Sequence, residues 1–162
     1  MSSNKVVNIV IAGLGGQGVI TASDILADAA FRAGLDVKKS EIHGMSQRGG
    51  SVASDVRIGE QVLSPMVPPG EADFLLVLSA DQVEPNQHQL KPGGMLIAPE
   101  MIDESALQNK RSLNVALLGI LSAHLPMVPE AEWIKALKTS LPEKILEVNL
   151  QAFALGRGKK SA

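Results

Sequence analysis

The chain contains no cysteine. That absence excludes disulfides, thiolate zinc sites, cysteine nucleophiles and any iron–sulfur cluster ligated by the chain itself. Aromatic residues make up 2% of it. The core must therefore be aliphatic, and stacking platforms for single-stranded nucleic acid are nearly missing. Neither sign of charge dominates: the net charge is −2, so no basic field points to nucleic acid or an anionic membrane. No apolar run approaches the length of a membrane span. The opening MSSNKVVNIVIAG reaches glycine too soon for a secretory h-region, which leaves the cytoplasm as the default compartment. His43, His88 and His124 show no H-x-x-x-H spacing, so no metal site is expected. No G-x-S-x-G elbow offers a serine nucleophile.

What the chain does have is aliphatic residues in short blocks. At 162 residues and 45% hydrophobic, it fits one domain with a real core. The run VVNIVIA over 6–12 predicts a buried strand. Val19, Ala22, Leu26, Ala29 and Ala33 recur at helical spacing and predict a helix over 17–33, stopped by Gly34. A second strand over 36–42 completes a parallel, right-handed βαβ unit. The alternating SVASDVRI over 51–58 predicts a strand with Val52, Ser54, Val56 and Ile58 on one face. Too few residues join it to its predecessor for a parallel crossover, so it should run antiparallel. Gly59-Glu60 would then turn into a short QVL strand.

Further along, ADFLLVL over 72–78 predicts a central strand and residues 81–90 a polar helix, stopped by Lys91-Pro92-Gly93-Gly94. MLIA over 95–98 predicts another strand, and 114–125 a buried helix. Two more helices, over 129–141 and 142–155, each open with Pro followed by Glu. Residues 155–162 predict a flexible, locally basic tail. The expectation is one α/β domain over 1–162. It is Rossmann-like, with a mostly parallel sheet, an antiparallel strand or hairpin after the second strand, and helices on both faces.

Two segments carry chemistry. Gly13-Leu14-Gly15-Gly16-Gln17-Gly18 matches G-x-G-x-x-G between a strand and a helix. The first glycine permits a tight turn, the second lets a phosphate approach, and the third lets helix and strand pack. The helix N-terminus then offers free N–H groups to an anion. For a dinucleotide, an acid ending the second strand should hold the ribose, and Glu41 is placed to do so. The second segment is SEIHGMSQRGG over 40–50. It packs Glu41, His43, Gln47 and Arg48 ahead of Gly49 and Gly50, whose small size allows close approach of another body. Arg48 with these glycines suggests anion or partner contact at the carboxyl ends of the strands; an exposed loop with Arg48 paired to Glu41 is the plainer alternative.

IAGLGGQGV followed by SEIHGMSQRGGSVASDVRIG resembles the gamma subunit of 2-oxoacid:ferredoxin oxidoreductases, a group that includes the indolepyruvate oxidoreductase beta subunit. LKPGG and LPEKILEVNLQAFALG extend the likeness over nearly the whole chain, and EIHGMSQRGGSV is similar to the indolepyruvate branch in particular. The resemblance implies an assembly that decarboxylates a 2-oxoacid on thiamine diphosphate with Mg2+, transfers the acyl group to coenzyme A, and passes electrons through iron–sulfur clusters to ferredoxin. Those cofactors belong on partner subunits: the chain has no cysteine and no GDG opening of a thiamine-diphosphate motif. The implied partners are alpha and beta thiamine-diphosphate subunits, a ferredoxin-like subunit and ferredoxin as acceptor, and a homodimer of the chain is compatible with them.

Within that picture Gly13, Gly15, Gly16, Gln17 and Gly18 share a cleft with residues 41–50, next to the active site and the phosphates of coenzyme A. Arg48 is the expected anion contact, Gly49 and Gly50 permit close approach, and Glu41, His43 and Gln47 contact a partner or substrate. No residue is assigned as a general base. In LSPMVPPGEA, Met66 and Val67 are expected partner contacts, because such an apolar loop is costly to leave exposed. Two alternatives stand beside this one: the polar cluster as a purely intersubunit surface, and an independent NAD(P)-binding module with Glu41 on a ribose or Arg48 near a 2′-phosphate.

Overall fold

The computed structural model describes residues 5–43 and 50–158; the side chains of residues 42 and 43 lie outside that description. Five strands form one sheet: β1 Val7–Leu14, β2 Asp36–His43, β3 Ser51–Gly59, β4 Ala72–Val77 and β5 Leu90–Ile97. Their order is β2-β3-β1-β4-β5. The helices are α1 Val19–Arg32, α2 Val83–Asn86, α3 Leu113–Ala123, α4 Glu130–Ser140 and α5 Glu143–Arg157.

β3 pairs antiparallel with both β2 and β1, while β4 pairs parallel with β1 and β5. Four strands thus point one way and β3 alone the other. The short β2–β3 link has the consequence expected of it. It also splits the predicted βαβ unit. β1 and β2 remain parallel in direction, but β3 occupies the place between them.

Strand alternation separates two cores. Ile9 and Ile11 of β1, Val56 and Ile58 of β3, Leu76 of β4 and Ile97 of β5 face the main core with α1, α3, α4 and α5. Val10, Leu75 and Val77 face the other side, where Val67 and Val83 of α2 cover them. The main core is aliphatic as the composition requires, apart from Trp133 and Phe153, whose ring centroids lie 5.7 Å apart. α3 and α5 meet through glycine. A Cβ at Gly156 would fall 1.8 Å from the Ala116 carbonyl oxygen, and one at Gly119 2.3 Å from that of Phe153. Only glycine permits backbones this close.

Four expectations are corrected. QVL forms no strand: the Val62 N–H donates to Asp36 Oδ2 at 2.7 Å instead of to a hairpin partner. Residues 80–89 form α2 flanked by two 3₁₀ turns rather than one helix. Pro85 lacks the N–H a continuous helix needs there. Lys91-Pro92-Gly93-Gly94 does not precede β5 but lies within it, absorbed by a register shift between the Ala72–Leu90 and Phe74–Met95 pairs. Gly93 takes φ +81° to make that irregularity. Finally, α5 continues to Arg157 because Gly156 is buried against α3, so 155–157 are not tail; residues 159–162 lie outside the described residues.

Candidate functional site

The glycine loop leaves the carboxyl end of β1 and turns at once into α1. The Gln17 N–H donates to the Leu14 carbonyl at 3.1 Å. In return the Leu14 N–H donates to Gln17 Oε1 at 2.7 Å, so the side chain of Gln17 staples its own turn. Gly16 and Gly18 both take φ +89°, the left-handed region where a side chain is strained. Gly13 is demanded by space: a Cβ there would lie 2.9 Å from Gln17 Oε1 and 3.1 Å from Leu78 Cβ. The glycines therefore divide their work differently from the motif's usual pattern. Gly16 makes the turn, Gly13 the close packing on Leu78 just after β4, and Gly18 a contact with α3 rather than with a strand.

That last contact fixes the site. Asn114, in the first turn of α3, donates from Nδ2 to the Gly18 carbonyl at 3.3 Å, and its Oδ1 accepts from the Val115 N–H at 2.9 Å. The N-termini of α1 and α3 are thereby held at one rim. α1 has no side-chain cap and no acid in its first turn. Between the two termini opens a cleft of about 600 Å³, lined by Gly16, Gln17 and Gly18 on one side and by Leu78, Lys110, Arg111, Leu113 and Asn114 on the other. Among the described residues no carboxylate lines it, so of these a helix N-terminus and two cations set its potential.

Gly13, Gly15, Gly16, Gln17 and Gly18 are brought together as expected, and Gly50 joins them: the Gly15 N–H donates to the Gly50 carbonyl at 2.9 Å. Gln47, Arg48 and Gly49 lie outside the described residues. His43 pairs through its backbone with Val52. Glu41 is not among the residues lining the cleft. Its carboxylate is bound by Lys39, which also reaches Asp24 of α1 at 2.8 Å. Desolvation opposes the charge on Lys39, but its bonds to Asp24 and Glu41 outweigh it and raise its pKa. Glu41 is thus committed to an ion pair and not offered to a ribose.

Met66 and Val67 belong to another surface, the sheet face away from the main core. There the Val67 N–H donates to Asp55 Oδ2 at 2.9 Å, and Arg57 donates to the Ser64 carbonyl and to Asn8 Oδ1. Asp55 is 6% exposed. Desolvation pushes its pKa up, against the lowering effect of the Val67 N–H and Arg57. Val67 is only 4% exposed and packs on Val10 and Leu75, so it supplies packing rather than contact area. Met66, 54% exposed, and Leu63, 82% exposed, form the crest of the loop.

Sequence reasoning missed Lys110, Arg111 and Asn114. A signal was there: Asn109 precedes a cationic pair just ahead of an apolar helix, and Asn is a strong turn and cap former. Asn109 Oδ1 accepts from the Arg111 N–H at 2.9 Å, and the Ser112 hydroxyl donates to the Asn109 carbonyl. Among the described residues, no three His, Asp or Glu side chains are grouped to hold a metal, and no helix is long and apolar enough to cross a membrane.

The chain matches the family model described as "Pyruvate ferredoxin/flavodoxin oxidoreductase" over residues 8–103 and 98–158. It is 36% identical to the indolepyruvate oxidoreductase subunit IorB of Thermococcus kodakarensis, over 94% of this chain and 95% of that one. It is 30% identical to the 2-oxoglutarate synthase subunit KorC of Methanothermobacter marburgensis, over 91% of this chain and 92% of that one. Among solved structures, the keto/oxoacid ferredoxin oxidoreductase gamma subunit of Geobacter sulfurreducens has a TM-score of 0.78 at 26% identity, covering 94% of each chain. The 2-oxoglutarate:ferredoxin oxidoreductase of Magnetococcus marinus has a TM-score of 0.80 at 25% identity, covering 99% of this chain and 32% of that one. These relatives are subunits of 2-oxoacid oxidoreductases, and with Glu41 held by Lys39 nothing supports an independent NAD(P)-binding module. Sequence, fold and glycine loop agree: the chain belongs to the pyruvate ferredoxin/flavodoxin oxidoreductase family.

Proposed function

We propose that this chain is the gamma-type subunit of a 2-oxoacid:ferredoxin oxidoreductase, an assembly that oxidatively decarboxylates a 2-oxoacid to an acyl-coenzyme A. The observation that carries this reading is likeness to such subunits over nearly the full length of both chains, in sequence and in fold. The stronger identity to IorB than to KorC favours an aromatic 2-oxoacid of the indolepyruvate class.

The chemistry of the residues assigns the parts. With no cysteine the chain has no thiolate for an iron–sulfur cluster, so the clusters sit on a ferredoxin-like subunit that reduces ferredoxin. Thiamine diphosphate and Mg2+ sit on alpha and beta subunits, where they stabilise the carbanion left by decarboxylation. This chain contributes one wall of the coenzyme A site. The N–H groups at the start of α1 and the Gly16–Gly18 turn receive phosphate oxygens. Gly50 is held on Gly15 at the same rim; Arg48, as a further anion contact, and Gly49, allowing close approach, complete the proposed site. Glu41 and His43, near the end of β2, and the Met66 crest face partner subunits.

The test is recovery of the tagged chain from its native host. The expected result is co-purification with thiamine-diphosphate and ferredoxin-like subunits and coenzyme A-dependent oxidation of 2-oxoacids, fastest with indolepyruvate. Recovery of the chain alone, with no 2-oxoacid oxidation in the eluate, overturns the reading.

A further inference from the structure

The two edges of the sheet, β2 and β5, are finished differently. β5 carries Pro92, a register shift and Gly93 in the left-handed region, features that blunt an edge against another strand. β2 pairs with β3 residue by residue from Asp36 to His43, without a bulge. Its outer side has no strand partner among the described residues. A regular edge offers a row of backbone donors and acceptors to any strand that fits it.

The charges on β2 select which strand fits. Val37, Lys39 and Glu41 alternate onto one face, the face under α1, where Lys39 reaches Asp24 of that helix. Two copies of β2 laid antiparallel about a two-fold axis at Ser40 set Lys39 of each opposite Glu41 of the other. Sliding the register to its nearest alternatives sets Lys39 against Lys39, or Glu41 against Glu41. Opposite charges directly across a strand pair attract and like charges repel, so one self-pairing register is favoured over its neighbours. The helix layer above agrees. α1 lies over β2 and β3, and the Lys39–Asp24 bond marks the flank of α1 that faces the edge. Phe31 follows Asp24 by about two turns and lies on that same flank. It is 71% exposed, although Trp133 and Phe153 are fully buried. In a chain with three Phe, one Trp and no Tyr, an exposed aromatic beside an open edge has the character of an interface anchor.

We infer that β2 is a dimerisation edge: two copies of this chain join through antiparallel β2 strands, and the sheet runs on from one copy into the next. The α1 helices then lie side by side across the axis, and Phe31 of each copy closes the helix layer against its mate. Lys39 is shared between Glu41 of its own chain and Glu41 of the second copy. The interface is isologous, so it closes at two copies. The subunit that Glu41 meets is thus a second copy of the chain, and this pairing does not depend on the oxidoreductase reading above.

The experiment is sedimentation velocity of the purified full chain over a range of concentrations. The expected result is a reversible dimer of twice the 17.0 kDa chain mass, weakened by salt because the paired charges are partly exposed. Glu41→Lys should raise the dissociation constant about tenfold, since the two-fold axis makes each substitution count twice. Lys39→Glu with Glu41→Lys restores opposite charges across the axis and should recover part of that loss. Phe31→Ser, at an exposed position, should weaken the dimer by a similar factor and leave the thermal melt as in the parent. A parent that sediments as a monomer at every concentration overturns the inference and leaves the edge to a strand of another subunit. A dimer unmoved by Glu41→Lys overturns the edge pairing. Should that variant fail to fold, a dimer unmoved by Phe31→Ser overturns it equally. Each of these outcomes leaves the subunit assignment standing.

Discussion

Asn114 and Gly18 meet edge to edge. The amide of Asn114 donates to the Gly18 carbonyl, and it fills the space a side chain at position 18 would need: a Cβ there would lie 2.4 Å from Nδ2. One glycine therefore answers to two demands, a backbone angle and a neighbour. Gly16, two residues earlier, answers only to the angle, with open space where its Cβ would be.

The pair makes a graded prediction. Gly16→Ala should cost about 1–2 kcal/mol, the penalty of a left-handed residue with a Cβ. Gly18→Ala should cost more, because it adds a clash with Asn114 and loosens the joint between α1 and α3. Urea denaturation of the two variants checks the order. Equal costs, or a larger one at Gly16, would contradict the joint.

Gly156→Ala should be among the worst single substitutions in the chain. Its Cβ would overlap the Ala116 carbonyl, a backbone atom that cannot swing aside. A loss of about 3 kcal/mol or more is expected from forcing α3 and α5 apart. Gly158→Ala serves as the comparison, since its nearest contact would be 3.3 Å and its φ is −77°. Thermal melts should show a large drop for the first and little change for the second.

Much of this architecture is legible in the sequence because it is local. The β1–α1–β2 order follows from a β-branched run, a helical stripe and a glycine stop. The antiparallel turn of β3 follows from a link too short to cross over. What lies between β1 and β2 is not local: β3 inserts there through pairing with both, and no periodicity reports a neighbour's identity. The same holds at the site. Its first wall is a contiguous glycine motif, whereas Lys110 and Arg111 reach it only because Asn114 docks on Gly18, roughly 96 positions away in the chain. Gly119 and Gly156 likewise look like helix-weakening residues until α3 and α5 are seen in contact.

Two carboxylates on the sheet should respond to pH with opposite sign. Burial raises the pKa of Asp55 above its usual 3.8. The folded state then binds more protons than the unfolded one, so stability falls as pH rises from near 3.8 through the raised value. Asp55→Asn should flatten that slope while keeping an acceptor for the Val67 N–H. Asp55→Ala should instead cost about 1–3 kcal/mol by leaving that N–H unpaired.

Asp36 runs the other way. The Val62 N–H holds its pKa below 3.8, with partial desolvation opposing and Lys38 assisting. Its contribution is present above the unfolded value and lost as pH falls through the lowered folded one. Asp36→Asn should remove part of the acid limb below that point. Denaturation curves for the parent, Asp36→Asn and Asp55→Asn, taken from acid to neutral pH, separate the two signs. Parallel curves for all three would contradict both assignments.

The most direct test of the central claim is reconstitution. The partner subunits, prepared without this chain, are assayed for indolepyruvate- and coenzyme A-dependent reduction of ferredoxin before and after the purified chain is added. The account predicts little activity before addition and its restoration at one equivalent of chain per active site. Full activity without the chain, or no gain on adding it, would contradict the claim that it builds one wall of the active site.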